Sequence, residues 1–500
     1  MPEIFNATKP EAAPSQSLPQ EPIFARLLGG IGLGSLLSGF SLVIMTYGFG
    51  PRILSIHFGF VAIALGLVLM LLHSLSDRDM QIRRAYIAMG VMFLLMTGIF
   101  TIVDHVNFLK YGWASSLLGL FFLLTGSRFE EDRIWRKVVL VLLGVTGSCY
   151  TALGFIQGII SSGEFILTYG SLLVILGLCF LSAFIYRCDP QGTTGHRTGL
   201  LMAGLAIFII LYVVLRATIP LLTTVDLPPF FMPTGLVLLA HGVVWGAVAL
   251  GMTSDSRLVV LIQRELLSYF CSPIAYILMA AMACLAGFAY LLFVFTLLNN
   301  GAMEPIVRLY LSRLPPFAVI FIVPAITMRL LAEEKRSGTY EVLMTTPLKE
   351  STVVLSKFSA CLIFFMILWG IWAIFLIPLR AETGVPFDYR PLLTFYLCLL
   401  VSGSAMVSLG LFFSSLSPNQ IIAAVLTFIT LFIMLLLILF VIDLTIGTMW
   451  RKVFESLSFY SMWDSALNGR LALRDLFLQA SFTILGLFMT TKVLEMRRWL

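Results

Sequence analysis

The chain has 500 residues, of which 59% are hydrophobic and 12% charged, and its mean hydropathy is +0.99. That balance excludes an ordinary soluble domain. The net charge of +6 rests mostly on arginines between apolar runs, so it speaks of orientation in a bilayer and not of nucleic acid.

Residues 1–25 carry Pro2, Pro10, Pro14, Pro19 and Pro22 among Ser, Gln and Glu, without a basic stretch leading directly into a short apolar core. They are expected to form a disordered cytoplasmic tail and not a signal peptide. Eight apolar runs follow, at 27–49, 53–75, 85–103, 112–126, 137–160, 164–186, 198–221 and 231–252, the fourth being short. Runs of this kind cross a ~30 Å hydrocarbon core as helices, and their continuity argues against the alternation of a barrel. With the N-terminus inside, the inner loops hold Arg26, Arg78, Arg83, Arg84, Arg128, Arg133, Arg136, Lys137, Arg187, Arg197, Arg257 and Arg264. The outer loops hold little beyond Arg52 and Lys110, with Arg216 near an outer helix end. This asymmetry obeys the positive-inside rule and favours eight spans. Residues 26–255 are therefore an eight-helix membrane module; a substrate annex, an assembly platform and a regulatory module all fit it.

A different kind of segment follows at Ser256–Phe270, SRLVVLIQRELLSYF. On a helix Arg257, Arg264, Glu265 and Ser268 fall within a sector of about 100°, and apolar residues fill the rest, as in a helix lying in the headgroup layer. Pro273 marks entry into six further spans, at 273–298, 314–332, 353–378, 391–415, 420–442 and 475–494. The charge bias is weaker here, with Arg308, Arg313, Arg380, Arg390, Arg451 and Lys452 outside and Lys335, Arg336, Lys349, Lys357, Lys492, Arg497 and Arg498 inside. Both termini then lie in the cytoplasm. Between Val441 and Arg474, the residues Phe454, Leu457, Phe459, Tyr460, Met462 and Trp463 suit helices at or dipping into the outer interface, with an aromatic belt as the alternative.

Within this half, Thr327–Lys357 reads TMRLLAEEKRSGTYEVLMTTPLKESTVVLSK. The span at 314–332 is expected to continue into Glu333-Glu334-Lys335-Arg336, and Gly338 supplies the backbone freedom to end it. Thr339 can cap a short helix with Glu341 in its first turn, where a negative charge suits the helix dipole. Tyr340, Leu343 and Met344 give that helix one apolar face. Thr346-Pro347 then reads as a cap followed by the first residue of the next helix. The product is a stiff amphipathic knob between two spans.

This segment resembles the connection between the second and third helices of ABC-2-type transporter permeases, in the branch containing the gliding-motility and copper-processing permeases. RELLSYFCSPIAYILMA is similar to the elbow helix and first span of the same family. FFSSLSPNQIIAA at 412–424 and the stretch 467–500 also resemble it in the expected order, although Ser417-Pro418 stands where the family often has Thr and a polar residue. The resemblance covers residues 257–500. It implies an all-α polytopic membrane protein of about 14 transmembrane helices, arranged as eight plus six. Residues 256–500 would be a permease domain with an elbow helix at 256–271 and a coupling segment at 333–350. Glu333, Glu334, Arg336, Gly338, Thr339, Glu341, Leu343 and Pro347 would couple to an ATPase subunit, while Arg257, Arg264, Glu265 and Ser268 belong to the elbow helix.

The sequence holds no GxxxxGK[ST] phosphate loop, so no ATP site is expected on this chain, and ATP and magnesium would bind a partner. HExxH, GxSxG and EF-hand patterns are also missing, and no catalytic, cofactor or metal site is expected. The seven cysteines show no CxxC spacing and mostly sit in apolar runs, as buried thiols. Ionisable residues in or near spans are His57, Asp104, His105, Glu164, Arg216, His241 and Asp443; for His241 an interhelical hydrogen bond is expected.

The resemblance further implies an exporter in a bacterial cytoplasmic membrane. Its partners would be a second permease unit, as homodimer or heterodimer, an ABC ATPase, and a possible membrane protein bearing an extracytoplasmic domain. Rival readings are an ATP-independent secondary transporter or channel, and a polytopic enzyme acting on lipid, for which SRFEEDRIWRK (127–137) can be quoted.

Overall fold

The computed structural model describes residues 23–49, 56–76, 79–103, 108–128, 130, 132–160, 169–188, 193–222, 230, 234–300, 306–338, 348–383, 388, 390–443 and 448–498. The expected tail at 1–25 lies almost wholly outside them. The described residues are helical, without strands. Among the described residues, eleven helices are long and apolar enough to cross a bilayer, and Leu28–Ile44, Ser171–Arg187 and Gln420–Leu436 are shorter apolar helices at three more of the predicted spans. The protein is a polytopic helical membrane protein, as its apolar runs require.

Two compact units are present, one formed by 1–148 with 179–187 and the other by 149–178 with 188–500. The expected boundary between Asp255 and Ser256 falls inside the second. In the first unit, α1 (Ile23–Phe49) and α2 (Ile56–Ser76) pack through glycine. A methyl added at Gly39 would lie 2.7 Å from the Ile63 nitrogen, and one at Gly66 would lie 2.7 Å from the Leu36 nitrogen. Gly30 and Gly34, one helical turn apart, face open space instead. The helices α3 (Met80–Val103) and α4 (Trp113–Gly126), the latter preceded by a π-helical turn at Phe108–Gly112, share the ring of Phe122, which stacks on Tyr86 and Phe93 at 5.8 and 5.9 Å. Arg84 pairs with Glu130 and Asp132 at 3.5 and 3.4 Å, so the loop at 127–137 is an ion-paired helix junction.

Helices α5 (Arg133–Ile160) and α6 (Ser171–Arg187) are divided between the two units. The second unit continues with α7 (Thr193–Leu222), α8 (Leu236–Thr253), α9 (Arg257–Phe270) and α10 (Pro273–Asn300). His241 on α8 places Nδ1 2.7 Å from the Val237 carbonyl oxygen, and its ring also meets the Ser171 backbone of α6. Arg216 on α7 bonds the Ile159 carbonyl and the Tyr212 hydroxyl, and lies 4.1 Å over the Phe230 ring. Both polar groups are thus satisfied by the fold. Asp104, His105 and Glu164, and the side chains of His57 and Asp443, lie outside the described residues.

The rest of this unit comprises α11 (Ile306–Leu311), α12 (Pro315–Thr327), α13 (Ala332–Ser337), α14 (Glu350–Ile374), α15 (Leu376–Thr383), α16 (Arg390–Leu416), α17 (Gln420–Asp443), α18 (Thr448–Leu457), α19 (Phe459–Leu467) and α20 (Leu473–Arg498). Its core is aromatic. Trp463 on α19 meets Trp369 and Phe395 at 5.5 Å and Phe459 at 5.4 Å, and Trp369 stacks on Trp372 at 5.8 Å. Both Phe459 and Trp463 are 1% exposed, so α19 is packed into the protein and does not form an aromatic belt. Arg308 pins α19 to α11 through Asp464 at 3.1 Å. The indole Nε1 of Trp463 donates to Ser402 Oγ at 2.9 Å. Trp463→Phe is expected to keep an edge-to-face ring contact but lose that bond, at a cost of about 1–2 kcal/mol, read as a lowered thermal midpoint.

One expectation at 314–350 is corrected. The span at 314–332 does not run straight into the charged extension: α12 ends at Thr327, residues 328–331 form a turn, and α13 starts anew at Ala332. A side chain from α16 holds this break. Ser414 Oγ accepts from the backbone nitrogens of Leu331 and Ala332, both at 3.1 Å, and donates to the Met328 carbonyl at 3.2 Å. Gly410 lets α16 come this close, since a methyl there would lie 2.3 Å from Thr327 Oγ1. Thr346 and Pro347, expected to open the next helix, lie outside the described residues. Lys349 is extended, with φ −75° and ψ 139°, and α14 begins at Glu350, whose carboxylate suits that N-terminus.

Candidate functional site

The charged end of the second unit gathers four helices. Helix α9 starts at Ser256, whose Oγ accepts from the Val259 nitrogen at 3.4 Å, a cap that relieves one of the helix's unpaired N–H groups. Its apolar side, through Leu266, Tyr269 and Phe270, packs on the core. Tyr269 stacks on Phe364 of α14 at 4.9 Å and donates its hydroxyl to the Ile326 carbonyl at 2.9 Å. Helix α9 is therefore fastened to both α12 and α14.

An ionic junction ties the same elements. The Lys357 ammonium on α14, its side chain 3% exposed, lies 3.0 Å from Glu265 Oε2 on α9 and 2.6 Å from Glu334 Oε1 on α13. Glu265 is 12% exposed and also takes Arg264 at 3.0 Å. Burial pushes the Glu265 carboxyl up, but Lys357 and then Arg264 outweigh it, so the group is held below the usual carboxylate range. Beside it, Arg329 meets Glu333 at 2.8 Å and donates from Nη1 to Ser272 Oγ at 2.6 Å. Lys335 donates to the Ser415 carbonyl of α16. Gly338 then closes α13 with φ 73°, a left-handed conformation that suits glycine.

Of the residues singled out by sequence, this junction unites Glu265, Arg264 and Glu334. Glu333 stands next to it on Arg329. Ser268 only turns back to the Glu265 carbonyl, at 2.8 Å, while Arg257 and Arg336 are exposed. Thr339, Glu341, Leu343 and Pro347 lie outside the described residues. Lys357, Arg329 and Ser414 were not singled out. Lys357 had a signal, being a lone cation seven residues into an apolar helix; Arg329 stood one helical turn before Glu333. Ser414 had none, because a serine in a membrane helix is ordinary.

Mechanically, the junction joins one buried cation to carboxylates from two other helices. Removing the cation takes away the counter-charge that the two carboxylates share, and removing either carboxylate leaves Lys357 with one counter-charge in place of two, so separating the three is costly. Residues 295–469 match the model of a family described as ABC-2 family transporter protein. No curated protein and no solved structure matches the chain. The match begins in the last turns of α10 and ends just past α19, so it includes Arg329, Glu334, Lys357 and Ser414 but neither α9 nor α20.

Proposed function

We propose that this chain is the membrane-spanning permease subunit of an ABC transporter, of the ABC-2 type and of its gliding-motility and copper-processing branch. The observation that carries this reading is the family match spanning the segment 327–357, where α13, α14 and α9 are tied through Lys357. ATP is hydrolysed by a separate cytoplasmic chain, in keeping with the missing phosphate loop in this sequence. That ATPase docks on the coupling segment at 333–350. A push there acts on α13; Glu334 and Lys357 pass it to α14, and Glu265 passes it to α9.

This end faces the cytoplasm in that reading, at a bacterial inner membrane with both termini inside; the positive-inside asymmetry of the first eight runs supports the orientation. A single six-helix permease unit needs a second copy or a related chain to enclose a pathway. Cargo entering from the cytoplasm or inner leaflet makes the machine an exporter, with a membrane partner bearing an extracytoplasmic domain as a further subunit.

Co-purification tests the reading: a Walker-motif ATPase is expected to come down with the tagged chain, and a chain that moves cargo alone overturns it. Gly338→Pro and Glu341→Lys sharpen the test. Proline requires φ near −65° and cannot adopt the 73° found at Gly338, while the lysine reverses a charge within the docking segment. Both variants are expected to insert normally and to retain about tenfold less ATPase in pull-downs. Unchanged association in both refutes the docking assignment.

A further inference from the structure

The charged end of the first unit gathers arginines from four segments. Arg187 closes α6 and donates to the Leu124 and Ser127 carbonyls at the end of α4, the latter at 3.4 Å. A cation there suits the negative end of α4, and the two bonds bring Arg187 beside Arg128, which follows Ser127. Arg136 lies in the first turn of α5, and Arg83 lies on α3. Arg83 is 0% exposed, Arg187 is half-buried, and Arg128 and Arg136 are exposed. Burial holds the Arg187 guanidinium below the usual arginine range; Tyr186 offsets part of this, and the charges of Arg128, Arg136 and Arg83 add to it. The carboxylates of Glu130 and Asp132 are drawn instead to Arg84, and Asp132 also caps α5 through the Ile134 nitrogen at 2.9 Å.

We propose that this end binds an anionic glycerophospholipid, its phosphate held by Arg128, Arg136 and Arg187 and an acyl chain lying on the exposed side of α5. Two observations select that ligand. The first is the gathering of like charges: arginines that repel one another are stabilised by an anion, and the planar guanidinium matches phosphate oxygens in pairs. A guanidinium carries five N–H donors, so an arginine already holding a protein partner keeps others for the ligand. The second is apolar. The helix that supplies Arg136 exposes Ile134, Val138, Val141 and Val145, which recur at three- and four-residue spacing along one side. That stripe begins in the turn that carries Arg136, so a phosphate bearing an acyl chain covers apolar surface that a free phosphate leaves bare. Basic sites at the ends of membrane helices hold anionic headgroups by this combination.

The site needs neither an ATPase nor cargo, so it stands or falls apart from the permease reading. Native mass spectrometry tests it, on the full chain with whatever co-purifies, released from nanodiscs holding equal amounts of phosphatidylglycerol and phosphatidylcholine. The wild type is expected to retain phosphatidylglycerol about tenfold in preference. Arg128→Gln with Arg136→Gln is expected to abolish most of that preference. Arg197→Gln, at an exposed arginine on α7 outside the cluster, is expected to keep it. Equal retention of the two lipids by the wild type overturns the inference, and so does an equal loss of preference in Arg197→Gln and the double variant. Glycerol 3-phosphate at millimolar concentration is expected to leave the retained lipid in place; complete displacement would make a soluble phosphate the occupant and overturn the lipid assignment. If the double variant does not insert, Arg128→Gln alone replaces it with an expected loss of about threefold, and equal retention by the wild type remains decisive.

Discussion

Lys357→Met is expected to destabilise the protein by about 3–5 kcal/mol, because it removes the buried cation that the Glu265 and Glu334 carboxylates share. Adding Glu265→Gln and Glu334→Gln is expected to recover most of that loss, since uncharged groups of similar shape carry no burial penalty for charge. Under the proposed coupling, stimulation of a partner ATPase is not expected to return with stability, since the three helices then lack their ionic tie. A triple variant that is stable and fully coupled would rule out the junction as a force path. Acid titration separates the states further. In the wild type the Glu265 carboxyl is depressed, so its stabilising contribution is complete above the unfolded-chain value of about 4.3 and disappears as pH falls through the lower folded value. Without Lys357 only Arg264 opposes burial, so that carboxyl rises from its wild-type position, and the acid-dependent loss of stability is expected to be smaller in Lys357→Met than in the wild type. Thermal midpoints across that range provide the measurement.

Ser414→Ala is expected to have an effect of similar size by a different route. One hydroxyl satisfies two backbone donors and one backbone acceptor at the break between α12 and α13, and the serine is 0% exposed. Alanine leaves all three groups buried and without that partner, at about 1–3 kcal/mol each. Hydrogen exchange is expected to show the loss locally, as faster exchange at Leu331 and Ala332 with α10 and α16 unchanged. Uniform protection in the variant would mean that the backbone finds other partners and that the break does not need this serine.

The spans were legible because crossing a bilayer is a local property: each helix must be apolar over its own length, whatever its neighbours are. The amphipathic α9 and the left-handed Gly338 were legible for the same reason, one from its periodicity and the other from the missing side chain. Contacts between distant segments were not. The break at 328–331 depends on Ser414, more than eighty residues further along, and a single serine leaves no pattern. Glu265 read as part of a solvated polar stripe, yet it turns inward because Lys357 waits ninety-two residues away. The aromatic residues of α19 look alike in sequence whether they lie at a lipid surface or in a packed core; only the indoles of α14 across from them decide the matter. Likewise the short helices α11 and α15 lay in loops whose charged residues masked their buried faces.

The close packing of Trp369, Trp372 and Trp463 has a spectroscopic consequence. Three indoles within 5.5–5.8 Å of a neighbour, all fully enclosed, form a chromophore fixed in a chiral surrounding. Near-ultraviolet dichroism is sensitive to such fixed packing and fades when it loosens. Because the ring of Trp463 belongs to α19 and the other two to α14, any displacement between those helices during a working cycle alters this optical signal without an added label.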